Sequence, residues 1–201
     1  MPYLVLIGLS LTSFAAAFPY PSRTTFVTTS RLLSTPEGRV SDMDEWVTWS
    51  DDSLLKLTGK SLLDRMVCVE NVKEVHSCSR YAVLSHGIEQ DPVYNYFNQG
   101  ALLTFQWPED EVYKLPSRYS APGGELRDQR DILMKKVVQE QTQTFPEAIR
   151  QTKSGKQFRL KNVLLWNVFD PEGTRVGQTA LFDRELIVQL HETQENENDE
   201  T

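Results

Sequence analysis

The sequence contains few of the side chains from which catalytic and metal sites are usually built. Its 201 residues include three histidines and two cysteines. It has no Ser-His-acid motif, no Gly-rich phosphate loop and no His-Glu-x-x-His motif. Scattered imidazoles provide little acid–base machinery, so the sequence predicts no catalytic residue.

The cysteines and histidines are also poorly spaced for a metal. Four of them follow one another as Cys68, His76, Cys78 and His86, whereas structural zinc sites use closely spaced pairs of ligands. Residues 76 and 78 would point away from each other on a helix, so we predict no metal site. The two cysteines could form a disulfide in a secreted protein. In a reducing compartment they would be buried free thiols.

Basic charge is in short supply as well. Lysine and arginine number 21 against 28 acidic residues, which gives a net charge of −7. No basic stripe or basic helix offsets this acidity, so we predict no direct binding of nucleic acid. Residues 192–201 contain five acids and no basic or apolar residue, a composition that predicts a solvated, disordered tail.

Long apolar runs are missing too. The apolar segment Leu4–Leu11 is too short to span a bilayer, so we predict no membrane span in the mature protein. The small residues Ala15–Ala17 match the preference of signal peptidases. We therefore predict a signal peptide over residues 1–17, cleaved before Phe18.

The following segment, residues 18–40, has the composition of a transit peptide. It is rich in serine and threonine, carries Arg23 and Arg31, and reaches its first acid only at Glu37. Together with the signal peptide it resembles the bipartite presequence of algae with complex plastids, which predicts a plastid location. Simple secretion followed by a disordered linker is the alternative.

The functional domain is predicted to begin near Ser41, with a helical region over residues 41–80. Ser41–Glu45 is typical of a helix N-terminus, and apolar residues then follow at helical spacing as far as Leu57. Gly59 interrupts this pattern, and a second helix is predicted from about Leu62 to Ser77. These helices would pack on the domain that follows or form a dimerisation surface, and the first is favoured.

Residues 81–184 predict a mixed domain in which strands predominate towards the end. A hydrophobic content of 39% is enough for a core. β-Branched and aromatic runs separated by turn residues predict strands, and helical spacing predicts helices at 101–105 and 125–141. The predicted strands cover residues 81–85, 93–97, 145–150, 157–169 and 177–182. Pro146 predicts that its strand is bent or lies at an edge.

Tyr81–Ala121 and three later elements closely resemble the MEKHLA domain, a PAS-like family. The first block contains that family's S-H-G, D-P-x-x-N-Y-x-N, A-L, W and L-P-S-R elements in order. The later elements are Gly155 with Phe158, Leu165–Asn167 and Gly177–Ala180. The resemblance spans about residues 54–184. It implies an α+β fold: a PAS-like antiparallel sheet flanked by helices and preceded by N-terminal helices. An NTF2-like cone is the alternative architecture.

The polar and mixed side chains on these matching elements are the candidate ligand-binding residues. We expect some of them to line a small-molecule cavity between sheet and helices. The alternative is that they are satisfied core polar groups, with Asn98 closing a turn and Arg118 pairing with a carboxylate. A bound anion held by Arg118 with Arg130 or Arg150 is a further alternative. The candidates are Ser85, His86, Asn98, Arg118, Arg130, Trp166, Asn167 and Gln178.

The resemblance implies a non-enzymatic sensor or interaction module that binds a small molecule or a protein partner. In plants the family's domain occurs in homeodomain-leucine-zipper transcription factors. We find no homeodomain, zipper or basic arm in the printed sequence, so we expect output through a protein partner or a homodimer. A small plastid enzyme that uses a PAS-like or NTF2-like cavity is the competing hypothesis. The sequence indicates no particular cofactor.

Overall fold

A computed structural model describes residues 42–190 of the chain. The predicted signal peptide, transit-peptide-like segment and acidic tail lie outside these residues and stay predictions. No helix in the described part of the chain is long and apolar enough to cross a membrane.

The first helix, α1 (Met43–Thr58), begins and ends where local residue types favour it. The carboxylate of Asp42 accepts a hydrogen bond from the backbone N–H of Glu45 at 3.0 Å, which caps the N-terminus. Asp44 and Glu45 lie in the first turn, where acidic side chains interact favourably with the helix dipole. Gly59 ends the helix in the left-handed conformation, with φ 73°. The predicted helix start and the interruption at Gly59 are confirmed.

The predicted continuous helix over residues 62–77 is wrong. Leu63–Arg65 is a single 3₁₀ turn, and a separate short helix, α2, covers Val72–Ser77. Ser61 and Asp64 exchange side-chain-to-backbone hydrogen bonds around the 3₁₀ turn. The side chain of Asn71 then accepts from the N–H groups of Lys73 and Glu74 and caps the start of α2. Polar side chains that bind nearby backbone compete with a continuous helix in this way.

Six strands form one antiparallel sheet whose order is β2-β1-β5-β4-β3, with β6 paired to β4 beyond the end of β5. The central strand β5 pairs with β1 and β4, which lie far apart in sequence. This is the strand order of PAS domains, so the predicted α+β, PAS-like fold is confirmed and the NTF2-like alternative is dropped. The strands are β1 (Tyr81–His86), β2 (Tyr94–Phe97), β3 (Thr142–Gln151), β4 (Gln157–Phe169), β5 (Arg175–Asp183) and β6 (Val188–Gln189).

The edge strand β3 carries an irregularity at Pro146, as its sequence predicts. The ladder pairs Phe145 with Val163 and Glu147 with Lys161, and Pro146 between them has no paired residue. On β4, Asn162 adopts a left-handed conformation with φ 51° at the same place. Proline lacks the N–H that a regular ladder would use.

Helices cover both faces of the sheet. One apolar cluster joins α1 and α2 to one face and includes Trp46, Val83 and Trp166. A second cluster joins the other face to the remaining helices and includes Leu84 and Phe105. The N-terminal helices therefore pack on the domain, as the favoured prediction states. The remaining helices are α3 (Gln99–Phe105), α4 (Glu109–Val112) and α5 (Glu125–Glu140), with 3₁₀ turns at Ser117–Ser120 and Arg184–Leu186.

Candidate functional site

A small cavity of about 40 Å³ that is partly open to solvent lies between the sheet and α5. Its walls are mostly apolar, and a few polar side chains enter it, including His86, Arg130, Arg150 and Gln178. An open groove of about 510 Å³ adjoins it, bordered by the β1–β2 loop and α5. The cavity and the groove share four lining residues: His86, Arg130, Met134 and Gln178.

His86 enters the cavity as an uncharged side chain with one unused acceptor. It ends β1 and is 8% exposed. Its Nδ1 lies 2.8 Å from the carbonyl oxygen of Gly87 and must donate to it, so the neutral ring leaves Nε2 as an acceptor. Nε2 is buried and has no hydrogen-bond partner among the described residues. Burial lowers the pKa of His86 from its ordinary 6.5 to about 4, helped by the charges of Arg130 and Arg175.

Two arginines bring positive charge to the cavity. Arg130, on α5, is 6% exposed; it donates to Ser117 Oγ at 2.7 Å and pairs with Asp131 at 2.9 Å. Arg150, on β3, donates to the carbonyl oxygen of Ile149 at 2.7 Å. No carboxylate within residues 42–190 forms an ion pair with Arg150. Burial, followed by the nearby charge of Arg130, lowers the pKa of Arg150 to about 10.

Gln178 and Asn167 connect the sheet to the C-terminal part of α5. Gln178 Nε2 donates to Asn167 Oδ1 at 3.0 Å, and Asn167 Nδ2 donates to the carbonyl oxygen of Val137 at 3.1 Å. The backbone N–H of Asn167 donates to the carbonyl oxygen of Gln141, just beyond the helix end. Gln178 therefore lines the cavity directly, while Asn167 holds it in place.

Arg118 lines the groove and not the small cavity. It forms an ion pair with Asp91 and lies over the ring of Tyr119, with 4.7 Å between the guanidinium carbon and the ring centroid. This is the carboxylate pairing that was the alternative reading of Arg118.

Ser85 and Trp166 lie on the opposite face of the sheet, against α1. Side chains alternate between faces along a strand, so Ser85 points away from the side that His86 occupies. Ser85 Oγ hydrogen-bonds Thr179 Oγ1 at 2.7 Å, and Trp166 Nε1 donates to the carbonyl oxygen of Ser50 at 2.9 Å. Both side chains join α1 to the sheet.

Asn98 is a structural junction outside the cavity and the groove. Its Oδ1 accepts from the N–H groups of Val83 and Ala101, and it thereby caps the N-terminus of α3. Its Nδ2 lies within 3.2 Å of three carbonyl oxygens, those of Val75, Cys78 and Tyr81. Asn98 therefore joins α2, β1 and α3, in agreement with its predicted role in closing a turn.

Of the eight candidates, the structure brings three together in the cavity: His86, Arg130 and Gln178. Arg150 and Met134 also line it, but neither was among the candidates; Arg150 appeared only in the anion alternative. Strand alternation could not have placed Arg150, because Phe145 and Ala148 belong to one apolar cluster although they are three residues apart. The irregularity at Pro146 shifts the alternation between them.

Cys68, Cys78 and His76, which the sequence analysis considered as metal ligands, lie away from this site. His76 contacts Asp44 and Tyr96, at 2.7 and 2.9 Å. The sulfur atoms of Cys68 and Cys78 are 3.7 Å apart as free thiols. Within residues 42–190, no group of three or more His, Cys, Asp or Glu side chains is arranged to hold a metal ion.

Comparisons with solved structures find PAS and light-oxygen-voltage domains at low identity. A PAS domain from Colwellia psychrerythraea is 11% identical, with 55% of this chain and 86% of that chain covered and a TM-score of 0.44. A light-oxygen-voltage domain studied with a flavin analogue is 18% identical, with 60% and 84% covered and a TM-score of 0.47. An RNA-binding light-oxygen-voltage receptor is 14% identical, with 60% and 32% covered and a TM-score of 0.46. At these values the similarities carry no functional argument.

No curated protein matches the chain. The model of the MEKHLA domain matches residues 44–185. The match includes α1 and α2 as well as the whole path from β1 to β5, and it agrees with the motifs of Tyr81–Ala121. The chain therefore belongs to the MEKHLA domain family.

Proposed function

We propose that this protein is a non-enzymatic, PAS-like sensor module that binds a small molecule between the sheet and α5. The observation that carries the proposal is the cluster of His86, Arg130 and Gln178, which lines both the small cavity and the groove. A mostly apolar space with a few convergent polar groups is the usual form of a ligand site. The buried, unpartnered Nε2 of His86 supports it further, because such groups normally have a partner.

The chemistry of the cavity favours binding over catalysis. His86 has a pKa of about 4, which makes it a weak base, whereas general bases work best with a pKa near the operating pH. The described residues that line the small cavity include no cysteine or carboxylate to act as nucleophile or to orient the imidazole. These features support the sensor over the competing hypothesis of a small enzyme.

Helix α5 is the element whose position would change when a ligand binds in the cavity. It supplies Arg130 and Met134 to the site, and Asn167 holds its C-terminal part against β4. A ligand that contacts both the sheet and this helix would bias the position of α5, and a protein partner or a second copy of the chain would read that change. We place this module in the plastid on the basis of the presequence predicted for residues 1–40.

Native mass spectrometry of the full chain tests the proposal, with Met134→Trp as the blocking variant. Met134 is half-buried and lines both spaces, so an indole there would fill the junction of cavity and groove. We expect the wild-type protein to carry a co-purified small molecule and Met134→Trp to lose it.

The matched control is Ile132→Trp, which adds the same indole at a position on α5 that is 65% exposed. This variant is expected to retain the molecule. A wild-type protein that carries nothing, or a molecule retained equally by both variants, would contradict binding at this site. Turnover of the molecule that depended on His86 would favour the enzyme.

A further inference from the structure

We propose that the ligand is an amphipathic carboxylate, with its carboxylate held by Arg130 and Arg150 and its apolar body in the groove. This inference rests on the proposed function, because it names the class of molecule that the same site binds. Three features of the site carry it: the positive charge that lines the small cavity, the acceptor of His86, and the volumes of the cavity and the groove.

The small cavity is lined by two cationic side chains and, among the described residues, by no anionic one. Arg130 and Arg150 both line it, and none of its other described lining residues is an aspartate or glutamate. The carboxylate that pairs with Arg130 belongs to Asp131, which is 47% exposed and lines the outer groove. A pKa of about 10 leaves Arg150 protonated at neutral pH. Arg150 has no such counter-charge among the described residues, and a buried cation without one is costly. A carboxylate is a planar anion that a guanidinium group binds through two parallel hydrogen bonds.

His86 sets a second chemical requirement on the ligand. Its buried Nε2 offers a lone pair, which would repel a carboxylate oxygen and attract a hydroxyl or N–H donor. The carboxylate is therefore expected on the arginines, and a hydroxyl group near that carboxylate would satisfy His86.

The volumes of the cavity and the groove indicate which part of the ligand each would hold. A volume of about 40 Å³ accommodates about three water-sized groups, which suits a carboxylate and little more. The adjoining groove is more than ten times larger, at about 510 Å³. Its apolar side chains include Ile88, which is 53% exposed, and Val138, which is 43% exposed. Burial of an apolar chain against them would contribute to affinity.

Isothermal titration of the full chain with octanoate and with octanamide, its neutral counterpart, tests this assignment. We expect octanoate to bind at least about tenfold more tightly than the amide, as a charge-assisted bidentate contact predicts. Arg150→Gln is expected to remove this preference, and Arg150→Lys to retain part of it. Addition of a hydroxyl, in 3-hydroxyoctanoate, is expected to tighten binding; a hydroxyl without effect would contradict the role of His86.

The matched control is Arg159→Gln, because Arg159 lies on β4, pairs with Glu147 and lines neither space. It is expected to keep the preference for octanoate. Equal binding of octanoate and octanamide, unchanged in Arg150→Gln, would overturn the carboxylate assignment but leave small-molecule binding intact. Binding of neither probe, in a protein that also carries no co-purified molecule, would overturn both. A co-purified molecule, if found, decides directly: an acid supports the assignment, and a neutral compound overturns it.

Discussion

At the scale of single residues, His86 has the clearest electrostatic signature in the site. Burial lowers the pKa of its ring, and the positive charges of Arg130 and Arg175 lower it further, so the ring stays neutral. The carbonyl of Gly87 fixes the tautomer, so the unused nitrogen is an acceptor. A buried acceptor without a hydrogen-bond partner among the described residues is the strongest single indication of a ligand.

The low pKa of His86 predicts a specific dependence of stability on pH. The ring is neutral in the folded protein down to about pH 4, whereas the unfolded chain binds a proton below about pH 6.5. Its contribution to stability is therefore fully present above pH 6.5 and lost as the pH falls towards 4. We expect this loss to reach at most about 3 kcal/mol.

Urea denaturation at several pH values between 4 and 7 measures this loss, with His86→Gln as the comparison. The variant cannot take up the proton, so its free energy of unfolding is expected to fall less over the same range. Parallel pH profiles for the two proteins would show that His86 is not buried as a neutral ring.

The position of Arg150 in the cavity could not be predicted from the sequence pattern. Its side chain faces the cavity because two adjacent strands change their alternation at Pro146 and Asn162. The register of the two strands is the same on both sides of this irregularity, with one unpaired residue on each strand. Such an irregularity depends on how two strands pair, and that pairing is set by the turn at residues 152–156 as well as by local sequence. His86, Arg130 and Gln178 were predictable because they lie on elements with a regular pattern and a family motif.

At the scale of secondary-structure elements, Asn98 is the junction on which β1, α2 and α3 depend. Its side chain makes five hydrogen bonds to backbone groups of these elements while only 1% exposed. A buried backbone group that loses such a partner has no hydrogen bond to offset the free-energy cost of its removal from water. Asn98→Ala is therefore expected to lower the free energy of unfolding by at least about 3 kcal/mol.

The matched control for this prediction is Asn95→Ala in the neighbouring strand. Asn95 is 8% exposed, and its Oδ1 has no hydrogen-bond partner among the described residues. Its truncation is expected to cost less than about 1.5 kcal/mol. Urea denaturation measures both variants, and equal losses would contradict the role assigned to Asn98.

The elements of the chain differed in how well their sequence predicted them. α1, β1 and the long hairpin of β4 and β5 follow strong periodic patterns with clear caps or turns, and they were predicted correctly. The segment between Leu62 and Ser77 was not, although Leu62, Met66 and Val69 have helical spacing and are all buried. Local hydrogen bonds from Ser61, Asp64 and Asn71 favour turns over a continuous helix. The three apolar side chains are therefore buried from an irregular backbone.

At the scale of the whole molecule, both faces of the sheet are covered, and they serve different purposes. The face under α1 and α2 is closed by polar junctions such as Ser50 with Thr179 and Trp166 with the backbone of Ser50. The face under α5 keeps a cavity and a groove. The sequence motif identified the family and the sheet, but the cavity depends on packing between distant elements, which no local pattern encodes.

A crystal structure of the full chain, purified without added ligand and solved to high resolution, tests the central claim most directly. The account predicts continuous density for a small molecule between the sheet and α5, beside His86, Arg130 and Arg150. A cavity closed by repacked side chains, or filled only by ordered water that satisfies His86 Nε2, would contradict it.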